Sequence, residues 1–462
     1  MKMWDPKTVG MKFNASLVKA VQTDILVIGS GSAGATAAIA ASKGRHTVTL
    51  VERYGFPGGT STQMLDTFYG FFTPSEVPKK IVGGIPDTVV NALHATGDVF
   101  LRPNTYGAGT GVNYNPERLK RVWDQLFLEH GVDLYYHTTL VGVQSMADTT
   151  TCIFFHKGIG FFSITAKRVI DATGDADFCH WAGIPYEKAG EKEPAQSMTT
   201  TFRMANVELE QFETEGGKQM LKEKMSKAFE AGRYGLPRKE GSAHEMCQPK
   251  CISTVAVKVV DKDPLSDKGI TAAEIEGRKQ AFAFESFFRS EVPGYEYAKI
   301  IGLSHQIGVR ETRRVHGEYR LTKEDCMAAR AFDDQVLLCG APIEDHRKSD
   351  SGDSETFWQY VPNGGVYGVP YRTLVPQQTN TAWVVGRCFS ATHDAHASCR
   401  SMAQTMGMGQ AAGLAAVLSL DYDQSNKGIH LPRLQDHLLA LGAILELPST
   451  PADTTRDGWK NN

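Results

Sequence analysis

Three groups of residues in this chain are of types and spacings that do chemistry. The stretch Thr392-His393-Asp394-Ala395-His396-Ala397-Ser398-Cys399-Arg400 is dense in polar groups. Its two imidazoles, His393 and His396, can accept or deliver a proton near neutral pH. Arg400 can hold a carboxylate or a carbonyl. The alternative is that these side chains pack and hydrogen-bond the loop carrying them. The second group is Arg310, Glu311, Arg313 and Arg314. Arg310 and Arg313 are three apart and share a face if helical, which reads as a salt-bridged helix surface. Its functional reading is an anion clamp with Arg310 in it. The third group is the turn Gly29-Ser30-Gly31-Ser32-Ala33-Gly34, followed 23 positions after Gly29 by Glu52.

The elements around that turn decide what it does. An apolar strand, Asp24 to Ile28, leads into it. An alanine-rich helix, Ala33 to Ser42, follows, and a second strand, Thr47 to Val51, ends at Glu52. Strand, glycine turn, helix and strand within about 30 residues are the setting a dinucleotide fingerprint requires. Gly29 permits the tight turn, Gly31 lets the backbone approach a pyrophosphate, and Gly34 lets the helix pack close to the sheet. The helix N-terminus supplies free N–H groups to the phosphates, and Glu52 accepts ribose hydroxyls. Arg53 and a second glycine loop, Gly58-Gly59-Thr60-Ser61-Thr62, come next. A second backbone loop at that distance suits a ligand longer than one nucleotide, which favours FAD over NAD. A plain surface loop is the alternative.

Bulk properties set limits. The chain has 462 residues with 41% hydrophobic content, which predicts two or three substructures. A formal charge of −3 points to neither nucleic acid nor anionic membrane as partner. No apolar run approaches the roughly 18 residues of a membrane span. Met1 to Lys19 contain no continuous apolar segment, so no secretory signal is expected. Eight cysteines include no CxxC pair, only Cys247 and Cys251 as CxxxC. Reduced thiols, no metal site, no dithiol partner for a flavin and a cytoplasmic location are the expectations.

Further along, Asn115 caps an expected helix from Pro116 to His130, closed by Gly131. Strands are expected at Val132 to Val143 and within Gly158 to Asp171. From about 185 to 375 lysine, glutamate and proline are more frequent, and Thr271 with Glu274 reads as a capping box opening a helix that ends near Pro293-Gly294. A strand at Thr381 to Val385 and a small-residue helix at Gly407 to Leu420 follow. The expected division is a discontinuous cofactor domain of residues 20–184 and 376–445, an inserted substrate or cap domain of 185–375, and a flexible tail of 446–462. Phe68-Tyr69-Gly70-Phe71-Phe72 reads either as the wall of a flat pocket or as aromatic core.

Seven motifs in order carry a resemblance over roughly residues 22 to 420. They are the fingerprint through Glu52-Arg53, Gly58-Gly59-Thr60, Ala172-Thr173-Gly174-Asp175-Ala176-Asp177, and Gly308 to Arg314 with Gly317 to Thr322. Pro370 to Leu374, Val385-Gly386-Arg387, and His393, His396 and Arg400 through Gly409-Gln410-Ala411-Ala412-Gly413 complete the set. In these the sequence resembles the FAD-dependent oxidoreductases of the glutathione-reductase-like flavoprotein superfamily, in the single-flavin branch related to fumarate reductase flavoprotein subunits. The resemblance implies an α/β fold, a Rossmann-type FAD-binding domain with an inserted α+β substrate/cap domain. It implies that Gly29, Gly31 and Gly34, with Ser30, Ser32 and Ala33 in the same turn, hold the pyrophosphate and Glu52 the ribose. Gly59, Thr60 and Ser61 line the flavin side, and Val141 meets the adenine. Ala172, Thr173 and Gly174 close over the adenosine half, and Gly386 and Arg387 meet the ribityl and phosphate region. A helix opening near Gly409, with Ala411 and Ala412, aims its N-terminus at the flavin pyrimidine, and His393 to Arg400 form a loop passing the isoalloxazine. Covalent relatives carry a histidine where this chain has Thr60, Ser61 and Thr62, so the FAD is expected to be non-covalent.

The expected function is a dehydrogenase or reductase moving a hydride between flavin N5 and a small organic molecule. Only one dinucleotide fingerprint is visible, because Gly107-Ala108-Gly109-Thr110-Gly111 lacks a preceding buried strand. Oxygen, a quinone or a redox partner protein is then the electron acceptor or donor, and a homo-oligomer remains open. A flavin monooxygenase is the alternative enzyme. Those resemble this chain but carry Gly-Asp and a proline-bearing loop where it has Gly386-Arg387 and no proline before Gly409. A flavin electron-transfer or sensor subunit is the alternative of another class, and the large insertion argues against it.

Overall fold

The computed structural model describes residues 19–145, 148–346 and 356–462. The segment before residue 19, read above for a secretory signal, lies outside the described residues. The chain opens with β1 (Ala20–Ile28), α1 (Ser32–Ala41) and β2 (Val48–Val51), as the fingerprint requires. Asn115 caps α2 (Pro116–Glu129), its side-chain oxygen accepting from the N–H of Glu117 at 3.1 Å. The expected single strand after it is two, β3 (Asp133–Tyr135) and β4 (Thr138–Ser145), interrupted at His137, which has φ 52°. β5 (Thr150–His156) and β6 (Gly160–Asp171) follow. With β11 (Ala382–Val384) from late in the chain they form one seven-stranded sheet.

Its order is β3-β2-β1-β6-β5-β4, and β11 joins at β6. The β1–β2, β1–β6, β2–β3 and β6–β11 pairs are parallel, while β4–β5–β6 is an antiparallel meander. Ile28 stands beside Val51 and Asp171, so β1, β2 and β6 end together. In an open parallel sheet, ligands bind in the crevice outside these carboxyl ends.

Every residue of α1 is buried. Its outer face is covered by α5 (Met402–Asp421), a helix of small and apolar residues. A Cβ on Gly409 would lie 2.0 Å from the Ala33 carbonyl oxygen, and one on Gly413 would lie 2.4 Å from that of Ala37. The two backbones therefore touch, which corrects the expectation that Gly409, Ala411 and Ala412 open a helix at the cofactor. α5 begins seven residues earlier, capped by Ser401, and these three lie buried in its interior.

The cap has its own core. β7 (Phe202–Ala205), β8 (Ser242–Glu245), β9 (Cys251–Val255) and β10 (Lys299–Leu303) form an antiparallel sheet of order β8-β9-β7-β10. The long helix α3 (Asp267–Glu291) covers it, and Phe202 packs on Phe284 and Phe288. This helix starts four residues before the expected Thr271. Ser266 is the cap, accepting from the N–H of Gly269 at 2.9 Å, and Glu274 instead accepts from the N–H of Ile307 at 2.7 Å. The cap core runs from Met198 to Ile307. Leu321, Val336 to Cys339, Tyr367, Val369 and Val375 pack in the core of the nucleotide-binding part, so the substructure is shorter than the 185–375 segment expected from composition.

The C-terminal residues are docked rather than loose. Trp459 is 4% exposed, meets Phe71 edge-on and donates through Nε1 to Asn91 Oδ1 at 2.8 Å. Arg456 bridges to Glu245 of the cap at 2.9 Å. Among the described residues no helix is long and apolar enough to cross a membrane.

Candidate functional site

A cavity of about 970 Å³ lies between the carboxyl ends of the sheet and the cap. It is at the upper end of the range for small-molecule sites, about 300–1,000 Å³. Gly29, Gly31, Ser32, Ala33, Glu52, Arg53, Gly59 and Thr60 line it, as do Ala172, Thr173, Gly174, Gly386 and Arg387. These residues come from four separate stretches of sequence, brought together because the strands before them end at one edge of the sheet.

The three fingerprint glycines divide the work. Gly29 has φ +97°, and a Cβ there would strike the Ala172 carbonyl at 2.5 Å. A Cβ on Gly34 would lie 1.8 Å from the Gly29 carbonyl oxygen, and Gly34 does not line the cavity, so its place is in the packing of the helix. Gly31 alone is open, because a Cβ there meets nothing closer than the Gly59 Cα at 3.9 Å. The second glycine loop closes the cradle: the Gly58 N–H donates to the Ser30 carbonyl at 2.7 Å. Glu52 is tied in place by the N–H and hydroxyl of Ser30, at 2.8 and 2.7 Å, and by the N–H of Tyr54 at 3.0 Å. Arg387 bridges to Asp175 at 3.0 Å, and its enclosed Nη1 has no hydrogen-bond partner. An open backbone cradle, a fixed carboxylate and an unpaired guanidinium nitrogen are what an elongated anionic dinucleotide needs.

Several residues expected at the ligand stand back from it. Ser30 is enclosed and serves Glu52, and Ser61 donates to the Gly58 carbonyl at 2.6 Å. Val141 sits at an irregularity in the β4–β5 register, and its neighbour Leu140 faces the cavity instead. Of the aromatic cluster, Phe68, Phe71 and Phe72 are core and only Tyr69 reaches the cavity.

The polar stretch from His393 is a short helix, α4 (His393–Cys399), and not a loop. Thr392 caps it. Neither of its histidines lines the cavity. His393, 5% exposed, lies between Glu311 (Nδ1 to Oε2, 3.1 Å) and Asp345 (Nε2 to Oδ2, 3.2 Å). Against the desolvation that opposes its charge, these carboxylates hold it up to about 10. His396 is fully buried, bonded through Nε2 to the Arg387 carbonyl at 2.7 Å, and burial pushes it well below the ordinary imidazole value. Asp345, His393 and Asp394 also bring ligand-type atoms within 4.8 Å of one another.

The arginine cluster is not helical either. Arg313 lies in a strand, Arg313–Val315, paired antiparallel with Tyr186–Lys188. Its salt bridges are nonetheless present. Arg314 is enclosed by Glu311 at 2.7 Å, Glu193 at 3.0 Å and Glu187. Arg310 and Arg400 both line the cavity. Burial, then Arg400, brings Arg310 down to about 9, which leaves it cationic at neutral pH.

The sequence reading missed the strand Ile343–Asp345, paired antiparallel with Phe357–Gln359. Glu344 stands opposite Trp358. Glu344 and His346 on one side, and Thr356, Trp358 and Tyr360 on the other, all line the cavity. Their spacing by two is the available sequence signal, since alternate residues of a strand share a face. His346 is bonded to Glu344 at 2.8 Å and to Thr356 at 3.1 Å. Burial and then Arg310 take it down to about 3, so it is neutral.

His393 gives a pH signature. Its folded value lies above the roughly 6.5 of a free imidazole, so its contribution is complete below that pH and is lost as pH rises toward 10. Glu311, held down to about 2, loses its contribution only as pH falls through 4.5 toward that value. The thermal stability of the wild type relative to His393→Asn should therefore decline between pH 6.5 and 10. A flat difference over that range would show that His393 is not held protonated.

The chain matches the family described as FAD dependent oxidoreductase over residues 24–438. No curated protein matches it in sequence. Similar solved structures include a geranylgeranyl bacteriochlorophyll reductase-like protein from Thermoplasma acidophilum, at 12% identity and TM-score 0.45, covering 92% of this chain and 83% of that one. Another is p-nitrophenol 4-monooxygenase from Pseudomonas putida, at 10% identity and TM-score 0.47, covering 94% and 91%. A third is a flavoprotein/dehydrogenase from Cytophaga hutchinsonii, at 12% identity and TM-score 0.42, covering 90% and 82%.

Proposed function

The chain belongs to the FAD-dependent oxidoreductase family, and from that premise we propose that it is a dehydrogenase or reductase acting on a small organic molecule held under the cap. It is an enzyme, and FAD is its cofactor. The observation that carries the finer reading is the shared cavity: the open cradle at Gly31 and the arginines Arg310 and Arg400 face one space. When bound there, the flavin supplies hydride acceptance or donation at N5.

The chain's own residues do the rest. Gly31 and the start of α1 hold the pyrophosphate, Glu52 the ribose, and Arg387 the phosphate and ribityl region. Ser401, Met402 and Thr405, at the start of α5, line the same cavity. The positive end of that 20-residue helix would favour negative charge placed before it. Arg310 and Arg400 orient the substrate and offset negative charge that develops on it. His393 and His396 act through other groups: one neutralises Glu311 and Asp345, the other fixes the backbone of Arg387.

A cavity that runs on from the cradle to Arg310 and Arg400 under the cap supports an enzyme over a sensor or electron-transfer subunit. Gly386-Arg387 supports a dehydrogenase or reductase over a monooxygenase, with oxygen, a quinone or a redox protein as the second reactant. An anaerobic screen of metabolites for bleaching of the flavin tests this. Arg400→Ala should slow bleaching by roughly 10- to 100-fold with flavin content unchanged. NADPH oxidation that rises with substrate and yields an oxygenated product would replace this reading with a monooxygenase.

A further inference from the structure

One corner of the cavity gathers arginines that form no ion pair among the described residues. Arg238, Arg310 and Arg400 meet there; Glu344 faces all three, Glu240 lies near Arg238, and Glu311 and Asp345 lie near Arg400. Arg310 donates to the Ser197 carbonyl, and Arg400 donates to Gln196 Oε1 at 3.1 Å and to the Glu344 carbonyl at 3.4 Å. Neither forms an ion pair among the described residues. Arg238 is 8% exposed and, among the described residues, makes no hydrogen bond and no ion pair. The Nε atoms of Arg238 and Arg400 are both enclosed without a partner. A buried guanidinium without a partner is strongly unfavourable, and its retention points to a ligand that completes it.

The opposite feature of the chamber is aromatic. Trp358 stands across from Glu344 in the strand pair, so the two side chains share the cavity face. Tyr360 stacks on Trp358 with ring centroids 6.4 Å apart and planes at 15°. The Tyr360 hydroxyl accepts from the N–H of Gly107 at 2.9 Å, which ties this strand to the loop bearing Tyr106. Trp358 and Tyr360 remain about two-fifths exposed, at 38% and 42%, so their rings have faces to offer.

We infer that the substrate is a planar organic acid, its oxyanion held by Arg238, Arg310 and Arg400 and its flat body against Trp358 and Tyr360. Three planar guanidiniums match the oxygens of a carboxylate or a phosphate ester. The inference rests on the reading of this cavity as the enzyme's substrate chamber. It names the substrate class that the reading left open.

Calorimetric titration of the FAD-loaded protein with benzoate, phenyl phosphate and benzamide tests it, with flavin content measured on the same sample. At least one of the two acids should bind about tenfold or more tighter than the neutral amide, and the preferred acid identifies the oxyanion. Arg238→Gln should abolish that discrimination while leaving the melting temperature equal to or above that of the wild type, because it removes a buried charge without a partner. Arg238→Lys should retain part of it. Trp358→Ala should weaken acid and amide alike. Equal binding of acid and amide, no binding of either acid, or discrimination that survives Arg238→Gln would overturn the inference. So would a large fall in melting temperature in Arg238→Gln, since it would make the arginine structural. Acid binding by protein that cannot take up FAD contradicts only the flavoenzyme reading. FAD-loaded protein indifferent to the acids contradicts only the inference.

Discussion

Glu311→Gln lowers the stability of the fold by about 3–5 kcal/mol, the usual cost of removing one partner from a buried ion pair. Glu311 is 2% exposed, and its carboxylate serves three groups at once. One oxygen accepts from Arg314 at 2.7 Å and from His393 at 3.1 Å, and the other accepts from the N–H of Gln196 at 2.7 Å. Glutamine keeps the shape and removes the charge. Arg314, 2% exposed, keeps Glu187 and Glu193, and His393 keeps Asp345, but each loses a close carboxylate in a place water does not reach. Urea unfolding of the two proteins measures the difference. The loss should show as a lower midpoint at an unchanged slope. A change under about 1 kcal/mol would mean that the cluster behaves as a surface network.

Gly31→Val leaves the fold intact and weakens FAD binding by about 100-fold or more. The added side chain has room in the protein itself, since a Cβ at Gly31 meets only the Gly59 Cα at 3.9 Å. The space it fills is the cradle where a pyrophosphate must approach the backbone. Gly34→Val is the contrast. Its Cβ would lie 1.8 Å from the Gly29 carbonyl oxygen and 2.8 Å from the Ala172 Cβ, so it damages the packing of α1 on the sheet. Flavin retention and melting temperature, measured on both variants, should separate: flavin lost with stability kept in one, stability lost in the other. Flavin retained by Gly31→Val would place the pyrophosphate elsewhere.

The glycine turn was legible because its function is local. The strand, turn, helix and acid that make it lie within one short stretch, so Gly29, Gly31 and Glu52 fall at the carboxyl ends of β1 and β2 where the pattern puts them. The long-range partners were not legible. The carboxylates that fix His393 belong to Glu311 and Asp345, from distant segments, and nothing in the residues around His393 distinguishes a buried ion pair from a catalytic base. The start of α5 was misread for a related reason. Small residues from Gly407 onward signal a tight contact, but the contact lies in the middle of the helix, and Ser401 is an inconspicuous cap. Composition set the far edge of the cap too late, because polar residues surround Leu321, Val336 to Cys339 and Val369 to Val375 while apolar positions in these stretches pack in the other core. Nothing in the sequence around Arg238 marks it, since only the folded chain shows that it is buried with no ion pair among the described residues.

The central claim is that one FAD sits, without a covalent bond, in the cavity at the end of the sheet. The direct measurement is the flavin content of the purified protein, by absorbance before and after acid precipitation. The structure predicts yellow protein holding one FAD per chain, with all the flavin released to the supernatant. Colourless protein that takes up no added FAD would contradict the claim, and flavin remaining with the precipitate would contradict its non-covalent form.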